Sequence, residues 1–164
     1  MPGMVNVGMA EFKVSQGDVL CCRGLGSCVA VALWDAQARL GGLAHVMLPD
    51  SAAAPKAALG GQGRYADRAV PELARGMREQ GAQMARLKAR LVGGANMFSF
   101  VGRSPAAGPS VGERNICAVE SALAGLGIPV QARDIGGTWG RSLEFDPQDG
   151  SLLVRTTQHG QRRL

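Results

Sequence analysis

Two apolar runs of strand length, Cys28 to Trp34 and Leu40 to Leu48, stand on either side of the polar stretch Asp35-Ala36-Gln37-Ala38-Arg39. The spacing predicts a hairpin closed by that loop. In the first run both alternating sets are apolar, Val29, Val31 and Leu33 on one side and Ala30, Ala32 and Trp34 on the other, the pattern of a strand covered on both faces. Val5 to Val14 and Val19 to Cys22 read as further strands, parted by the turn-forming Ser15-Gln16-Gly17-Asp18.

Beyond a small-residue loop over Ser51 to Gly63, the period changes from two to that of a helix. Val70, Leu73, Ala74 and Met77 form an apolar stripe within about Arg64 to Gln80, while Arg64, Arg68, Arg75 and Arg78 share the opposite face. Pro71 is expected to kink this helix or delay its start. Arg86 to Val92 reads as a strand ending at Gly93-Gly94. A second helix is marked by the capping pair Ser110 and Glu113, the stripe Ile116, Val119, Leu123 and Leu126, and the stop Gly127 then Pro129. Pro129 to Asp134, Arg141 to Phe145 and Ser151 to Thr156 complete the strands. The expectation is one α+β domain over residues 1–164, a layered sandwich of mostly antiparallel sheet with two helices on one face and a polar tail at 156–164.

Composition narrows the class. With 164 residues, 46% hydrophobic and 19% charged, the chain has enough apolar content to fold around a core. No apolar run is long enough to span a bilayer, and Glu11, Lys13 and Asp18 interrupt any leader-like stretch, so a soluble, cytoplasmic protein is expected. In that compartment Cys21, Cys22, Cys28 and Cys117 are expected as thiols. The net charge of +5 favours acidic partners in general, whereas four Phe, two Trp and one Tyr offer little for stacking nucleic acid.

The hairpin brings a thiol and an imidazole together. Counting back from the loop sets His45 opposite either Cys28 or Val29, and only the first register leaves Cys28 and His45 on one face. A cysteine beside a histidine can exchange its proton for a thiolate–imidazolium pair, a nucleophile with an acid for the leaving group. Gly24, Gly26 and Ser27 allow a close backbone approach, and their N–H groups with that of Cys28 are candidates for holding an oxyanion. Two other readings stay open: ordinary packing of core residues, and a zinc site using Cys21, Cys22, Cys28 and His45. The spacing lacks paired Cys-x-x-Cys knuckles, and vicinal Cys21 and Cys22 are expected on opposite faces of a strand. No metal or cofactor is expected.

"GLGSCVAVALWD" followed by "GGLAHVMLPDS" resembles the chemoreceptor glutamine deamidase family, CheD. "LVGGANMF", "VGERNI" and "DIGGTWGRS" agree in the same order, so the resemblance covers about residues 5–155. It implies hydrolysis of selected glutamine side chains on bacterial chemoreceptors to glutamate and ammonia, a protein-glutamine glutaminase activity. It also implies a fold similar to the catalytic domain of cytotoxic necrotizing factor toxins, and the CheC phosphatase as a further partner. Carried over by motif, Cys28 is the nucleophile and His45 the base and acid. The family's assisting threonine falls on Cys22, whose sulfur is a poor acceptor, leaving a backbone carbonyl as another means of orienting His45. A partner-binding regulator of CheC that retains the fold without catalysis is the alternative, and a thiol protease or acyltransferase would share the same chemistry. Gly26 and Ser27 are assigned to the oxyanion loop. Asn96 and Phe98 are candidate contacts for substrate or partner, as are Arg68 and Arg75 for acidic receptor helices. Thr138 is a further candidate neighbour of His45, and His159 in the tail is expected to be idle.

Overall fold

A computed structural model describes residues 1–52, 62–98 and 108–164. Pro55 and the Gly60-Gly61 pair of the expected small-residue loop lie outside them. The described chain forms ten strands and two α-helices, which are β1 (Met4–Asn6), β2 (Phe12–Ser15), β3 (Val19–Leu25), β4 (Val29–Asp35), β5 (Leu40–Val46), α1 (Ala66–Glu79), β6 (Lys88–Gly93), α2 (Val111–Gly125), β7 (Val130–Ile135), β8 (Arg141–Phe145), β9 (Leu152–Arg155) and β10 (Gln161–Arg163). The strands make two five-stranded sheets. The inner sheet runs β2-β5-β4-β6-β7 and the outer sheet β1-β3-β8-β9-β10. Each sheet is mixed: β6 pairs parallel with β7, β1 pairs parallel with β3, and the other pairings are antiparallel.

Both helices cover one face of the inner sheet, and the outer sheet covers the other. Central β4 therefore needs apolar side chains in both directions. Val29, Val31 and Leu33 pack with Val70, Leu73, Met77, Val119 and Leu123 of the helices. Ala30 and Ala32 pack with Leu20, Leu143, Phe145 and Val154 of the outer sheet. The α1 stripe predicted by periodicity is buried as expected, and the helix runs through Pro71 from Ala66, so Pro71 does not delay its start. The capping box at α2 is complete, with both the Ser110 and Glu113 bonds formed.

Two expectations need correction. Val5 to Val14 is not one strand. β1 lies in the outer sheet and β2 in the inner one, and the chain crosses between them at Val7 to Glu11. Gly8 and Glu11 close this crossing with mutual bonds, and Ala10 adopts φ 66°. Asp35, taken as the first loop residue, is instead the last residue of β4 and pairs with Leu40. It is fully buried, its carboxylate accepting from the backbone N–H groups of Gln37, Ala38 and Gln83 and from Arg86. Burial pushes this carboxyl up, but Arg86 and the backbone donors outweigh burial and hold it below the usual aspartate range. The polar tail also carries structure, because β10 adds to the edge of the outer sheet beside β9.

Candidate active site

Moving Asp35 into the strand shifts the register by one residue from a Trp34–Leu40 pairing and by two from a Leu33–Leu40 pairing. His45 lies opposite Ala30, and Val29 lies opposite Val46. Cys28 is thus not opposite His45 but diagonal to it, on the same face of the sheet as Ala30. Diagonal neighbours sit roughly 7–8 Å apart, within reach of longer side chains. Both residues belong to the layer between the sheets, where Cys28 packs against the outer-sheet core and His45 is buried.

His45 is held by the crossing segment. Its N–H donates to the Glu11 carbonyl and its carbonyl accepts from Ala10. The ring Nδ1 lies 3.2 Å from the Val7 carbonyl oxygen. A carbonyl can only accept, so Nδ1 carries the proton and Nε2 the lone pair. Nε2 is buried and meets no donor among the described residues. Burial pushes the His45 pKa down and the Cys28 pKa up. The resting pair is therefore a neutral thiol and a neutral imidazole, not the ion pair that proximity alone allows.

The loop before Cys28 has its carbonyls fixed from one side. A bulge in β3 between Cys22 and Leu25, with Gly24 at φ 64°, turns the chain into it. Gly26 O accepts from the N–H of Ala95, Ser27 O from Asn115 Nδ2 and Cys28 O from the N–H of Gly94, all at 2.8–2.9 Å. Gly93, at φ 113°, leaves no room for a side chain, since a Cβ there would lie 2.2 Å from Cys28 O. The N–H groups of Gly26, Ser27 and Cys28 donate to no other backbone group among the described residues, whereas that of Gly24 is taken by Ser142 Oγ. Carbonyls bound on one side, with successive amides that meet no backbone acceptor among the described residues, suit an oxyanion.

Cys22 and Cys21 point opposite ways, as expected of neighbours in a strand. Cys22 is buried between the sheets with Sγ 3.5 Å from the same Val7 oxygen that receives His45, and burial pushes its thiol strongly up, with Cys21 and Cys28 adding to that. Cys21 instead lines two outer cavities of about 490 Å³ each, which meet at Cys21 and Arg23. One of them is bounded by His45, Asn6, Gly8 and Met9.

A family model described as CheD chemotactic sensory transduction matches residues 47–156. A "Probable chemoreceptor glutamine deamidase CheD" of Desulfitobacterium hafniense is 40% identical over 163 residues, covering 99% of each chain. One so named from Syntrophomonas wolfei is 42% identical with the same coverage. The "Chemoreceptor glutamine deamidase CheD" of Halalkalibacterium halodurans is 39% identical over the full length of both chains. This chain belongs to the CheD family.

The separated CheD blocks converge on the loop that leads into Cys28. "LVGGANMF" supplies Gly93, Gly94 and Ala95, and "VGERNI" supplies Asn115 together with Gly112, where a Cβ would lie 2.5 Å from the carbonyls of Gly94 and Ala95. "DIGGTWGRS" joins through Gly136 N to Gly93 O and Gly137 O to Asn96 N. Met97, rather than Asn96 or Phe98, lies over the loop, its Cγ 3.3 Å from where a Gly26 Cβ would be. Phe98 is exposed. Thr138 sits on the Gly136–Gly140 turn and is not among the residues bounding the His45 cavity. The charge of Arg75 is met within α1 by Glu72 and Glu79, and Arg68 lies exposed on the same helix, on the face turned from the sheet. His159 stacks on Trp139 with ring centroids 4.1 Å apart. Sequence reasoning missed the Val7 carbonyl, Asn115 and Met97. The block "VGERNI" was the available signal for Asn115.

Proposed function

We propose that this chain is a glutaminase that hydrolyses the side-chain amides of glutamines on chemoreceptors, with Cys28 as nucleophile and His45 as base and acid. The observation that carries the proposal is the common face of Cys28 and His45 beside a loop whose amides meet no backbone acceptor among the described residues, in a chain whose relatives are named chemoreceptor glutamine deamidases.

As a carboxamide enters, Nε2 of His45 takes the Cys28 proton and the sulfur bonds to the amide carbon. The oxyanion is received by N–H groups of Gly26, Ser27 and Cys28. The imidazolium returns its proton to nitrogen, the C–N bond breaks and ammonia leaves. Water then adds to the thioester, giving its proton to Nε2. The C–S bond breaks to glutamate, and the proton returns to sulfur. Catalytic hydrogen bonds that are long at rest commonly tighten with substrate bound, which accommodates the diagonal separation.

Chemoreceptor cytoplasmic helices are the proposed substrate, and the CheC phosphatase a second partner. Mass spectrometry of a receptor fragment incubated with the protein tests the reaction. Conversion of glutamine to glutamate by the natural chain, and its loss in Cys28→Ala, is the expected result; equal conversion by Cys28→Ala overturns the mechanism. Cys22 at the threonine position favours one rival reading, a non-catalytic regulator of CheC. That reading requires no conversion by either chain, with CheC activity altered by both.

A further inference from the structure

The antiparallel ladder that aligns Cys28 with His45 stops just short of them. Its last pair is Val29 with Val46. Beyond it the two strands bond away from each other: Cys28 O accepts from Gly94 N, and Met47 N donates to Arg64 O. Nothing in the ladder itself therefore fixes the nucleophile loop against the end of the histidine strand.

Asn115 closes that gap. It is fully buried on α2, and its Nδ2 donates to Ser27 O and Met47 O, each at 2.9 Å. One acceptor immediately precedes the nucleophile and the other lies just past His45. The amide's orientation is fixed, because reversing it would set Oδ1 against two carbonyls. Both Nδ2 protons are used, while Oδ1 is buried without a partner among the described residues. The rest of the buried α2 face is Gly112, Val119 and Leu123. A polar side chain in such a face, with one atom left unsatisfied, is destabilising by itself and calls for a compensating role.

We infer that Asn115 is a positioning residue, setting the spacing and register of Cys28 against His45 by bridging the two strands where their own pairing ends. The inference rests on the proposed Cys–His chemistry, but its test has a readout independent of deamidation.

Asn115→Ala should lower kcat about 10²-fold, the effect of a misplacement near 1 Å, with KM nearly unchanged. In a His45→Ala background the same substitution should cost less than about threefold, because the alignment it protects no longer matters. Asn115→Ser, which keeps one donor in a smaller side chain, should fall between, and serves if the alanine variant does not fold. Equal losses with and without His45, or a loss confined to KM, would overturn the inference.

If the natural chain releases no ammonia, the glutaminase reading fails and alkylation decides Asn115. Iodoacetamide labelling of Cys28, followed by mass spectrometry with exposed Cys117 as internal reference, should show an altered pH profile at Cys28 alone. An unchanged Cys28 profile would overturn the role.

Discussion

The two faces of the β4–β5 hairpin carry different side chains and meet different layers. Toward the helices it presents Val29, Val31, Leu33, Leu40, Ala44 and Val46, an aliphatic surface whose titratable group, Asp35, lies at the strand end and is bonded to Arg86 and the Gln83 N–H. Toward the outer sheet it presents Cys28, Ala30, Ala32, Leu43 and His45. The same backbone thus supplies a packing surface on one side and, under the proposed function, a chemical one on the other, kept apart by the two-residue period of a strand. On this second face the small side chains Ala30 and Ala32 let Leu20, Leu143, Phe145 and Val154 of the outer sheet pack closely beside Cys28 and His45. Stability and chemistry can therefore be disturbed separately.

Single substitutions on opposite faces should make the largest difference. His45→Ala should lower deamidation about 10²–10⁴-fold, the usual contribution of a general acid–base. Leu33→Ala, fully buried on the helical face, should cost about 2–5 kcal/mol of unfolding free energy while the folded fraction keeps its turnover. Steady-state kinetics and urea unfolding on both variants test the separation. It fails if Leu33→Ala slows turnover as much as His45→Ala does, or if His45→Ala is the more destabilising.

The pH response near the ordinary histidine value should follow His45, whereas Asp35 on the opposite face, held low by Arg86 and backbone donors, acts only at more acid pH. With His45 pushed down by burial, the unfolded chain binds a proton near the ordinary value of 6.5 while the folded chain stays neutral. Stability is therefore complete above that value and declines as pH falls below it, until the folded group also protonates. His45→Ala should reduce this slope and Leu33→Ala should leave it. The thiol, pushed above 9.0 by burial, should show no acid-side reactivity. At pH 6, iodoacetamide should modify Cys28 no faster than exposed Cys117, whereas a resting ion pair would make Cys28 the faster of the two.

Two adjacent glycines compare the faces on a finer scale. A Cβ on Gly42 would lie 2.6 Å from Leu73 Cδ1 and 3.0 Å from Met77 Sδ, the ends of flexible side chains. On Gly41 it would lie 2.6 Å from Phe145 Cε1 and 3.0 Å from Pro147 Cβ, both parts of rings. Both alanine variants should lose about 1–3 kcal/mol, with Gly41→Ala the worse, because rings yield less than aliphatic ends. Equal unfolding midpoints, or a worse Gly42→Ala, would contradict that ranking.

These contrasts explain what the sequence made readable. Alternation within Cys28 to Trp34 announced a doubly covered strand, and the helical stripes announced what covers one side. The exact register was hidden by Asp35, whose polarity reads as loop although its carboxylate is buried among donors. Of the two registers considered, the one that set His45 opposite Cys28 was off by two residues and kept their common face, while the one that set His45 opposite Val29 was off by one. The split of Val5 to Val14 between two sheets was hidden because alternation reports which residues face inward, not which sheet they join. Asn115 lies outside the apolar stripe read for the second helix, and Val7 has only an aliphatic side chain to show. A carbonyl acceptor has no side-chain signature, so the partner of His45 Nδ1 emerged only from the fold.

That hidden acceptor sets the smallest effect. If the family's threonine were needed to orient the imidazole, Cys22→Thr would restore a missing hydrogen bond and accelerate turnover. Here Val7 O already takes the Nδ1 proton, and the Cys22 thiol approaches the same oxygen from within the core. A threonine hydroxyl at this position has that carbonyl to bond as well, and competes with the ring for it. The expected change in kcat is therefore below about fivefold in either direction, the worth of one neutral hydrogen bond. Kinetics of the single variant decide the matter. A tenfold or greater gain would mean that the Val7 carbonyl does not suffice to hold the ring, and that the chemical face of this hairpin is tuned from the outer sheet.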